Sequence, residues 1–572
     1  MKLKGAQIFF ECLKKEGVEV VFGFPGGAVL DIYHEMAEHN IRHILVRHEQ
    51  GAAHMADGYA RASGRVGVCL VTSGPGATNT VTGIATAYMD SVPMVIFTGQ
   101  VPTPLIGDDA FQEVDIIGIT RPCTKHSYLV RDVDDLATVI KEAFFLARTG
   151  RPGPVLVDLP KDVIQAQTDF KYPKKVALPG YRPTTEAHSG QVIKACQLLA
   201  RAKAPVIFAG GGIIISESSE ELTRLARLIQ APVTCTLLGL GGFPATRATA
   251  EGPREAEPLW LGMPGMHGTY QANMALSHAD AILAVGVRFD DRVTGKVSTF
   301  APKAKIIHVD IDPTSISKNI EVDVPIVGDC KNALLQILDY FQKEPIQGMA
   351  ESRGPWLERL AAWEKEHPLT YSKSSELIKP QYVIEKLYEI AGHEAIITTE
   401  VGQHQMWTAQ FYKFDRPRTL LTSGGLGTMG YGFPAAIGAQ VAFPDKLVID
   451  IAGDGSIQMN VQELCTAVCN NIPVKVVIIN NTYLGLPRQW QELFYNKNYT
   501  GSCMEGSPDF VKLAEAYGAV GLRAERPEDV EAVLRKGLSI NAPVFMDFMV
   551  SAEENVYPIV PPGKSITDML LT

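Results

Sequence analysis

Several common signals are missing from this sequence of 572 residues. Its 9 cysteines are scattered from Cys12 to Cys503 and none are spaced as Cys-x-x-Cys. A disulfide framework, a zinc ribbon and a thioredoxin-type site are therefore unsupported. The chain also lacks a basic excess, since 53 lysines and arginines are outnumbered by 63 acidic residues for a net charge of -10. This balance argues against a nucleic-acid-binding protein.

No stretch of the chain has the composition of a membrane span. The longest run without charge, Thr419 to Pro444, is interrupted by several glycines and Pro434. That composition is typical of a buried loop and helix. The first residues lead into an amphipathic pattern without the apolar segment of a signal peptide or a transit peptide. We therefore expect a cytoplasmic protein with no membrane partner.

Strand-like apolar runs alternate with helical patterns along nearly the whole chain, which is typical of parallel sheets with crossover helices. Two passages rich in proline and charge, around 170–185 and 344–379, interrupt this alternation, and a short helix is expected around 356–363. They divide the chain into blocks at 1–170, 186–343 and 376–550, followed by a polar tail at 551–572. The predicted fold class is α/β with three domains, in which two similar parallel-sheet domains flank a central Rossmann-like domain.

The similarity of the outer blocks rests on two segments, Val66 to Gln100 and Lys446 to Asn481. Each reads as a strand, a glycine turn, a helix, a proline and a second strand, which a right-handed βαβ unit explains. Because any two such units look alike, this pattern alone leaves a duplication undecided. Two similar domains around a different one would place a ligand between them.

The strongest local motif is Gly453-Asp454-Gly455-Ser456, with 24 residues between Gly455 and the pair Asn480-Asn481. Asp454 ends one predicted strand and the asparagines end the next, so both should meet at the carboxyl edge of a parallel sheet, where ligands bind. The glycines allow the backbone to approach a diphosphate at a helix N-terminus. A carboxylate, an amide oxygen and a backbone carbonyl suit Mg²⁺. The alternative is a helix cap followed by an ordinary turn.

Two further motifs are weaker when taken alone. Glu49 lies at a strand-to-helix junction, and the spacing of His48 and His54 does not match the zinc motif His-Glu-x-x-His. A lone glutamate at a helix start is usually a charge that complements the helix dipole. The uncharged loop from Leu420 to Gly432 could enclose a flat heterocycle with Met429 as its bulky apolar side chain, or could be a tight crossover.

The central block shows Gly210, Gly211 and Gly212 after a strand, but no Gly-x-Gly-x-x-Gly motif, so a nucleotide site is weakly supported by sequence alone. Asp310 and Asp312 end a later strand. They suit a ribose contact, and equally a helix cap before Pro313.

Taken together, these motifs resemble those of the thiamine diphosphate enzymes, and within them the catalytic subunits of the acetolactate synthase family. The resemblance spans nearly the whole chain. The segments that carry it include FPGG, HEQGAAHMADGYAR, TSGPGATN, AFQEVD, GRPGPVLVDLPKDV, GMHGTYQAN, VRFDDRVTG, VGQHQMW, TSGGLGTMGYG and RQWQ.

The resemblance implies a role for each candidate residue. Glu49 would hydrogen-bond N1′ of the aminopyrimidine and promote loss of the thiazolium C2 proton, and Met429 would support the bent cofactor. Asp454, Asn481 and the Tyr483 carbonyl would hold Mg²⁺. The diphosphate would lie among Gly402, Gln403, His404, Gly427, Gly455 and Ser456. The substrate entrance would be lined by Gly27, which also contacts the cofactor, by the catalytic candidates Gln112 and Lys161, and by Phe111, Met266, Asp291, Arg292 and Trp490. Arg292 suits a 2-keto acid carboxylate.

The resemblance also implies FAD as a structural, non-redox group in the central domain. Its binding residues would be Arg151, Gly210, Gly211, Gly212, Gly265, His267, Arg288, Asp310 and Asp329. The substrates would be pyruvate and 2-ketobutyrate, on the way to branched-chain amino acids. A homodimer or homotetramer is expected, because Glu49 would face the third block of another subunit, and a small regulatory subunit could bind.

Two alternatives remain from the sequence, namely a redox flavin pyruvate oxidase or other 2-keto acid decarboxylase of the same fold, and an inactive scaffold. The chain also departs from the family pattern at 244–260, which is longer and more charged than usual, at Pro264, and at Leu486-Pro487. A proline is tolerated in the first turn of a helix. These departures affect the expected substrate channel and the FAD contacts near Met266.

Overall fold

Three parallel sheets, one in each predicted block, organise the chain in a computed structural model that describes residues 2–249, 254–346 and 348–571. The predicted α/β class is confirmed. No helix in the described part of the chain is long and apolar enough to cross a membrane.

The N-terminal domain contains a sheet of six parallel strands. In spatial order they are Arg42–Leu45, Val20–Phe24, Gly67–Val71, Met94–Gln100, Pro154–Pro160 and His126–Leu129. The helices around it are Gly5–Lys15, Leu30–Met36, Glu49–Ser63, Pro75–Thr78, Val81–Asp90, Ile116–Thr120, Leu136–Arg148 and Lys161–Gln165. A short antiparallel pair, Lys2–Lys4 with Gln167–Asp169, joins the two ends of the domain.

The C-terminal domain repeats this arrangement. Its strands, in spatial order, are Leu420–Thr422, Ile396–Thr399, Val448–Gly453, Lys475–Asn480, Val544–Met549 and Val520–Ala524, all parallel. Its helices are Pro380–Ala391, Gln403–Phe411, Gly432–Ala442, Asp454–Ile457, Glu463–Cys469, Gly485–Phe494, Phe510–Ala516 and Val530–Ser539. When each sheet is numbered along its own chain, both have the order 2-1-3-4-6-5. The expected similarity of the outer domains is confirmed.

The central domain contains a smaller sheet of five parallel strands. In spatial order they are Val233–Cys235, Pro205–Ala209, Ala281–Val285, Lys305–Asp310 and Val324–Val327. Its helices are Ser189–Arg201, Gly211–Ile215, Ser219–Leu228, Tyr270–His278, Asp291–Thr294, Cys330–Lys343 and Met349–Glu366. Its strand order is 2-1-3-4-5, so the winding direction reverses between the first and third strands, where ligands bind in such folds.

Two helices join the outer domains within the chain. Helix Glu49–Ser63 packs against helix Gly432–Ala442 with their backbones in close contact, because glycines lie at the crossing. A Cβ atom at Gly58 would lie 2.2 Å from the carbonyl oxygen of Ala435, and one at Gly438 would lie 1.9 Å from that of Met55. The N-terminal edge that bears Glu49 is therefore fixed relative to the C-terminal domain.

The connecting segments differ in part from expectation. Residues 170–188 form no helix or strand, as the first linker predicts. The short helix expected around 356–363 extends over Met349–Glu366. The tail after residue 550 contacts the central domain, where the Val560 N–H donates to the Met266 carbonyl at 2.8 Å. In the unusual 244–260 segment, Thr246–Arg247 pairs with Glu255–Ala256, and residues 250–253 lie outside the described part.

Candidate active site

Asp454 lies at the carboxyl edge of the C-terminal sheet, and its carboxylate forms no ion pair with the described residues. Asp454 follows strand Val448–Gly453 directly and is 1% exposed. Neither carboxylate oxygen has a hydrogen-bond partner among the described residues. Burial raises the pKa of this carboxyl to about 7. Because an unpaired buried charge is costly, this carboxylate fits a bound cation.

Asn481 follows the neighbouring strand and lies at the same edge. Its Nδ2 donates to Gln403 Oε1 at 3.2 Å, and its Oδ1 accepts the Tyr483 N–H at 3.1 Å. The described residues contain no cluster of three histidine, cysteine or acidic side chains suited to a metal. One carboxylate with neutral oxygen donors instead matches Mg²⁺, which completes its coordination with phosphate oxygens and water.

The predicted diphosphate residues surround this edge. A Cβ atom at Gly402 would lie 2.6 Å from His404 Cε1, and one at Gly453 would lie 2.8 Å from His404 Nδ1, so the imidazole packs directly on bare backbone. The His404 Nε2 is buried without a partner, and burial lowers the pKa of this imidazole to about 3. The Ser456 hydroxyl accepts the Gly453 N–H at 3.1 Å and so orders the turn around Gly455.

The loop that carries Met429 is fixed at both ends. Asp90, from the N-terminal domain, accepts the N–H groups of Gly424 and Gly425 at 3.1 and 2.7 Å. Glu400 accepts those of Gly430 and Phe433. Burial raises the pKa of Glu400 to about 7. These two anchoring carboxylates were not singled out from the sequence, which offers no periodic or motif signal for either.

Glu49 begins its helix, as expected, and its carboxylate points back to a glycine loop. The His48 ring caps the helix by accepting the Gln50 N–H at 3.1 Å. Glu49 Oε2 accepts a hydrogen bond from Asn79 Nδ2 at 2.9 Å, and the side chain is 13% exposed. Asn79 ends the TSGPGATN segment, so a motif signal existed although no role was assigned to this residue.

Glu463 holds the start of this helix from the C-terminal domain. Its Oε1 accepts the backbone N–H groups of Arg47 and His48 at 3.1 and 2.9 Å. Burial raises the pKa of Glu463 to about 7. A glutamate within a helix gives no sequence signal for such a distant contact.

Four further candidates lie at the carboxyl edge of the N-terminal sheet. Gly27 follows its first strand, Lys161 follows strand Pro154–Pro160, and Gln112 packs against Gly74, where a Cβ would lie 2.9 Å from the Gln112 carbonyl oxygen. Phe111 is 89% exposed.

A cavity of about 1340 Å³ lies between the central domain and the C-terminal glycine loop. Its walls include most of the remaining candidates, which are Arg151, Gly211, Gly212, Met266, His267, Arg288, Asp291, Arg292, Asp310, Asp329, Gly427 and Trp490. The lining includes neither Glu49 nor Asp454. Within one chain, the candidates therefore form three groups, namely this cavity, the N-terminal edge and the C-terminal edge.

The cavity lies against the reversal point of the central sheet. Gly286 has a φ of 60°, and a Cβ atom there would lie 2.5 Å from the Cα of Gly212. Gly210 is equally tight, since its Cβ would lie 2.2 Å from the Gly286 carbonyl oxygen. Gly265 is clamped by Asn273, which accepts its N–H at 2.7 Å and donates to its carbonyl at 2.9 Å. A bare backbone cradle with arginines on its walls and this volume fits a flavin dinucleotide.

For Asp310 and Asp312 the sequence allows either a ribose contact or a helix cap, and the two residues have different surroundings in the structure. Asp312 caps the turn at Pro313 by accepting the Thr314 N–H at 3.0 Å, and pairs with Arg151 at 3.2 Å. Asp310 lines the cavity, and burial raises its pKa to about 6. Asp329 lines the cavity and also caps helix Cys330–Lys343.

The wall that holds Trp490 contains the unusual residues of this chain. Helix Gly485–Phe494 places Pro487 in its first turn, as expected, and Leu486, Pro487 and Pro264 all line the cavity. Trp490 is half-buried, with its ring edge-to-face against Phe494. The Arg292 side chain is 61% exposed, with its Nε 3.9 Å from Asp291 Oδ2. Its guanidinium is therefore available to a ligand.

Comparison with known families agrees with this architecture. The thiamine pyrophosphate enzymes (thiamine pyrophosphate is thiamine diphosphate) are matched by their N-terminal TPP binding domain at residues 3–119, their central domain at 192–337, and their C-terminal TPP binding domain at 400–548. The chain therefore belongs to the thiamine pyrophosphate enzymes.

Curated relatives narrow the assignment. The chain is 49% identical to the acetolactate synthase isozyme 3 large subunit of Escherichia coli, over 100% of this chain and 99% of the relative. It is 51% identical to the acetolactate synthase of Mycobacterium bovis, over 99% and 91% respectively. Within the thiamine pyrophosphate enzymes, it belongs with the acetolactate synthase large subunits.

Proposed function

We propose that this chain catalyses the formation of 2-acetolactate from two molecules of pyruvate, and of 2-aceto-2-hydroxybutyrate from pyruvate and 2-ketobutyrate. The observation that carries the proposal is the buried Asp454 carboxylate without a partner, next to Asn481 at a sheet edge. That arrangement suits a magnesium diphosphate, and the chain is about half identical to acetolactate synthases over its full length.

Mg²⁺ would be held by Asp454, Asn481 and the carbonyl of Tyr483, with Gly402, Gln403, His404, Gly427, Gly455 and Ser456 around the diphosphate. Thiamine diphosphate, when bound, supplies a carbon nucleophile and accepts the electrons released with CO₂. Mg²⁺ held by Asp454 would neutralise part of the negative charge of the diphosphate. The fixed ends of the glycine loop hold Met429 in place to support the cofactor.

Glu49 holds and moves the proton on which activation depends. Its carboxylate accepts one hydrogen bond from Asn79, which orients it without neutralising it. A positioned carboxylate of this kind contributes about 10²–10⁴-fold as a general acid or base. Gln112 and Lys161 lie at the same edge and would act near the reacting keto acid, with Gly27 and Phe111 closing the entrance.

The keto acids would enter along the wall of the large cavity. Arg292 can bind a carboxylate in a bidentate manner, and its guanidinium is exposed. Trp490 and Met266 offer apolar surface to the alkyl group, with Asp291 beside them at the mouth. FAD would occupy the central-domain part of the cavity as a structural group.

We further propose that the working unit is at least a homodimer in the cytoplasm. Glu49 and Asp454 do not share the cavity of one chain, and the N-terminal edge ends in an 89% exposed Phe111. Both facts fit a site completed by a second copy. The name of its relatives, large subunit, suggests a small regulatory partner.

The experiment is pyruvate turnover by the purified protein with thiamine diphosphate, Mg²⁺ and FAD omitted in turn. We expect acetolactate only when all three are present, with flavin absorbance unchanged during turnover. Bleaching of the flavin by pyruvate without carbon–carbon bond formation would favour the redox alternative. A folded, cofactor-loaded protein that does not consume pyruvate would favour the scaffold.

A further inference from the structure

We propose that Cys465 and Cys469 form a redox-sensitive dithiol, and that its oxidation to a disulfide slows the enzyme by displacing Arg47. The two residues lie four apart on helix Glu463–Cys469. Their sulfur atoms are 3.8 Å apart. Nothing in the proposed reaction uses either thiol.

The surroundings of the pair are those of a reactive site. The Arg47 guanidinium donates to both sulfurs, from Nε to Cys465 at 3.2 Å and from Nη2 to Cys469 at 3.5 Å. Reactive cysteines are found in partly exposed, electropositive environments of this kind. Cys469 is exposed and Cys465 is half-buried. By contrast, the buried cysteines lie in the apolar core, and burial there raises the pKa of a thiol such as that of Cys69.

A disulfide requires a local change in the helix. Cβ atoms four residues apart on a helix are separated by about 5–6 Å, whereas a disulfide needs about 3.5–4.5 Å. Cys469 is the last residue of its helix, so only the final turn must open. Oxidation would therefore unwind that turn and remove the sulfur acceptors of Arg47.

The dithiol connects to the active site through few atoms. Arg47 and His48 donate their backbone N–H groups to Glu463, the first residue of the same short helix. His48 in turn caps the helix that begins at Glu49. A shift of about 1 Å in a catalytic group can cost about 10²-fold in rate. Displacement of Arg47 and His48 that shifts the start of helix Glu49–Ser63 would therefore lower turnover.

The reaction needs an external oxidant, which would be a low-molecular-weight disulfide such as oxidised glutathione. The exposed Cys469 thiolate attacks one sulfur of the oxidant and releases one thiol. The Cys465 thiolate then attacks the Cys469 sulfur of this mixed disulfide and releases the second thiol. The protein loses two electrons and two protons in all, and the oxidant is reduced to two thiols.

The test uses the holoenzyme exposed to oxidised glutathione, then alkylated and digested with trypsin. Both cysteines fall on the single peptide 447–475, which has no other cysteine. We expect this peptide to take up two alkyl groups before oxidation and none after it. Turnover of pyruvate should fall by roughly tenfold or more and recover with dithiothreitol.

Single substitutions distinguish the effect of oxidising this dithiol from the effect of oxidising other thiols. Cys469→Ser should keep its turnover under the same treatment, whereas Cys503→Ser, which removes the other exposed thiol, should lose activity as the unmodified protein does. Full alkylation of peptide 447–475 after oxidation would overturn the proposal, and so would a disulfide that leaves turnover unchanged. The activity readout rests on the proposed function, but the alkylation readout does not. Absence of activity in the reduced holoenzyme would therefore count against the function alone.

Discussion

Glu49 and Asp454 are both carboxylates at sheet edges, and their surroundings give them different chemistry. Glu49 keeps one hydrogen-bond donor, Asn79, and remains partly exposed. Asp454 is buried, and its carboxylate oxygens have no hydrogen-bond partner among the described residues, so a bound cation would stabilise the charged form. We therefore propose proton transfer for Glu49 and metal binding for Asp454.

Glu49→Gln should lose most of the rate of proton exchange at the thiazolium C2 while still binding the cofactor. The amide keeps the shape of the side chain but cannot carry the proton. A positioned acid or base is worth about 10²–10⁴-fold. Exchange of the C2 proton for deuterium, followed by NMR after acid quench, measures this step directly. An unchanged exchange rate would refute the role.

Asp454→Ala should abolish retention of the cofactor, because the metal would lose its only charged protein ligand. Isothermal titration with thiamine diphosphate at fixed Mg²⁺ should show a sharp fall in affinity. Asp445→Ala, an exposed carboxylate in the same domain, is the matched control and should bind normally. Near-native affinity of Asp454→Ala would mean that Gly453 to Ser456 form an ordinary turn.

Trp490→Leu should lower the ratio of acetohydroxybutyrate to acetolactate while acetolactate formation is largely retained. Trp490 lines the cavity, where an indole can cover the extra methylene of 2-ketobutyrate. A methylene in an apolar pocket is worth about 1–3 kcal/mol. Competition between the two keto acids gives the ratio. The same ratio in a folded, active variant would exclude this role.

Among the elements, the crossing of helices Glu49–Ser63 and Gly432–Ala442 determines where the edge that bears Glu49 lies. Met55 and Gly438, and Gly58 and Ala435, meet there without room for another carbon. Glu49 is the first residue of helix Glu49–Ser63, and helix Gly432–Ala442 follows the loop that carries Met429. Close packing of these helices therefore fixes the positions of both Glu49 and the Met429 loop.

Gly438→Ala should destabilise the protein, because the added methyl group would lie 1.9 Å from the Met55 carbonyl oxygen. Overpacking typically costs about 1–3 kcal/mol. Gly153→Ala is the matched control, since the atom nearest to its Cβ position, Lys125 Cβ, lies at 3.5 Å, an ordinary van der Waals contact. It should be neutral or stabilising by up to about 1 kcal/mol. Urea unfolding compares the two, and equal midpoints would contradict the tight crossing.

Elements that repeat a local pattern were predictable, and contacts between distant segments were not. The alternation of strands and helices gave the α/β class, and the Gly453–Ser456 motif with Asn480-Asn481 placed both strand ends at one sheet edge. Asn79 belongs to the TSGPGATN motif, so the motif could have identified it as a site residue. Glu463 and Glu400 act on segments 30 or more residues away. No periodicity encodes such contacts, because those of Glu400 depend on how one domain folds and those of Glu463 on how two domains pack.

In the molecule as a whole, the two outer domains share one strand order but carry different candidate residues at their sheet edges. The N-terminal edge carries Glu49, for which we propose proton transfer, and the C-terminal edge carries Asp454, for which we propose metal binding. The central domain adds a cavity at its own reversal point. The large cavity at the central domain is lined by neither Glu49 nor Asp454. We therefore propose that a site that needs both edges is completed by a second copy.

Complementation between two inactive variants is the direct test of an active site shared by two copies. Glu49→Gln and Asp454→Ala chains, each inactive alone, are co-expressed with different tags and the mixed dimer is isolated and assayed for acetolactate. If each site combines Glu49 of one copy with Asp454 of the other, one of its two sites has both substitutions and the other has neither. Unfractionated mixtures should then recover about a quarter of the unmodified activity by random pairing. A mixed dimer that forms, binds the cofactor and makes no acetolactate would contradict the account.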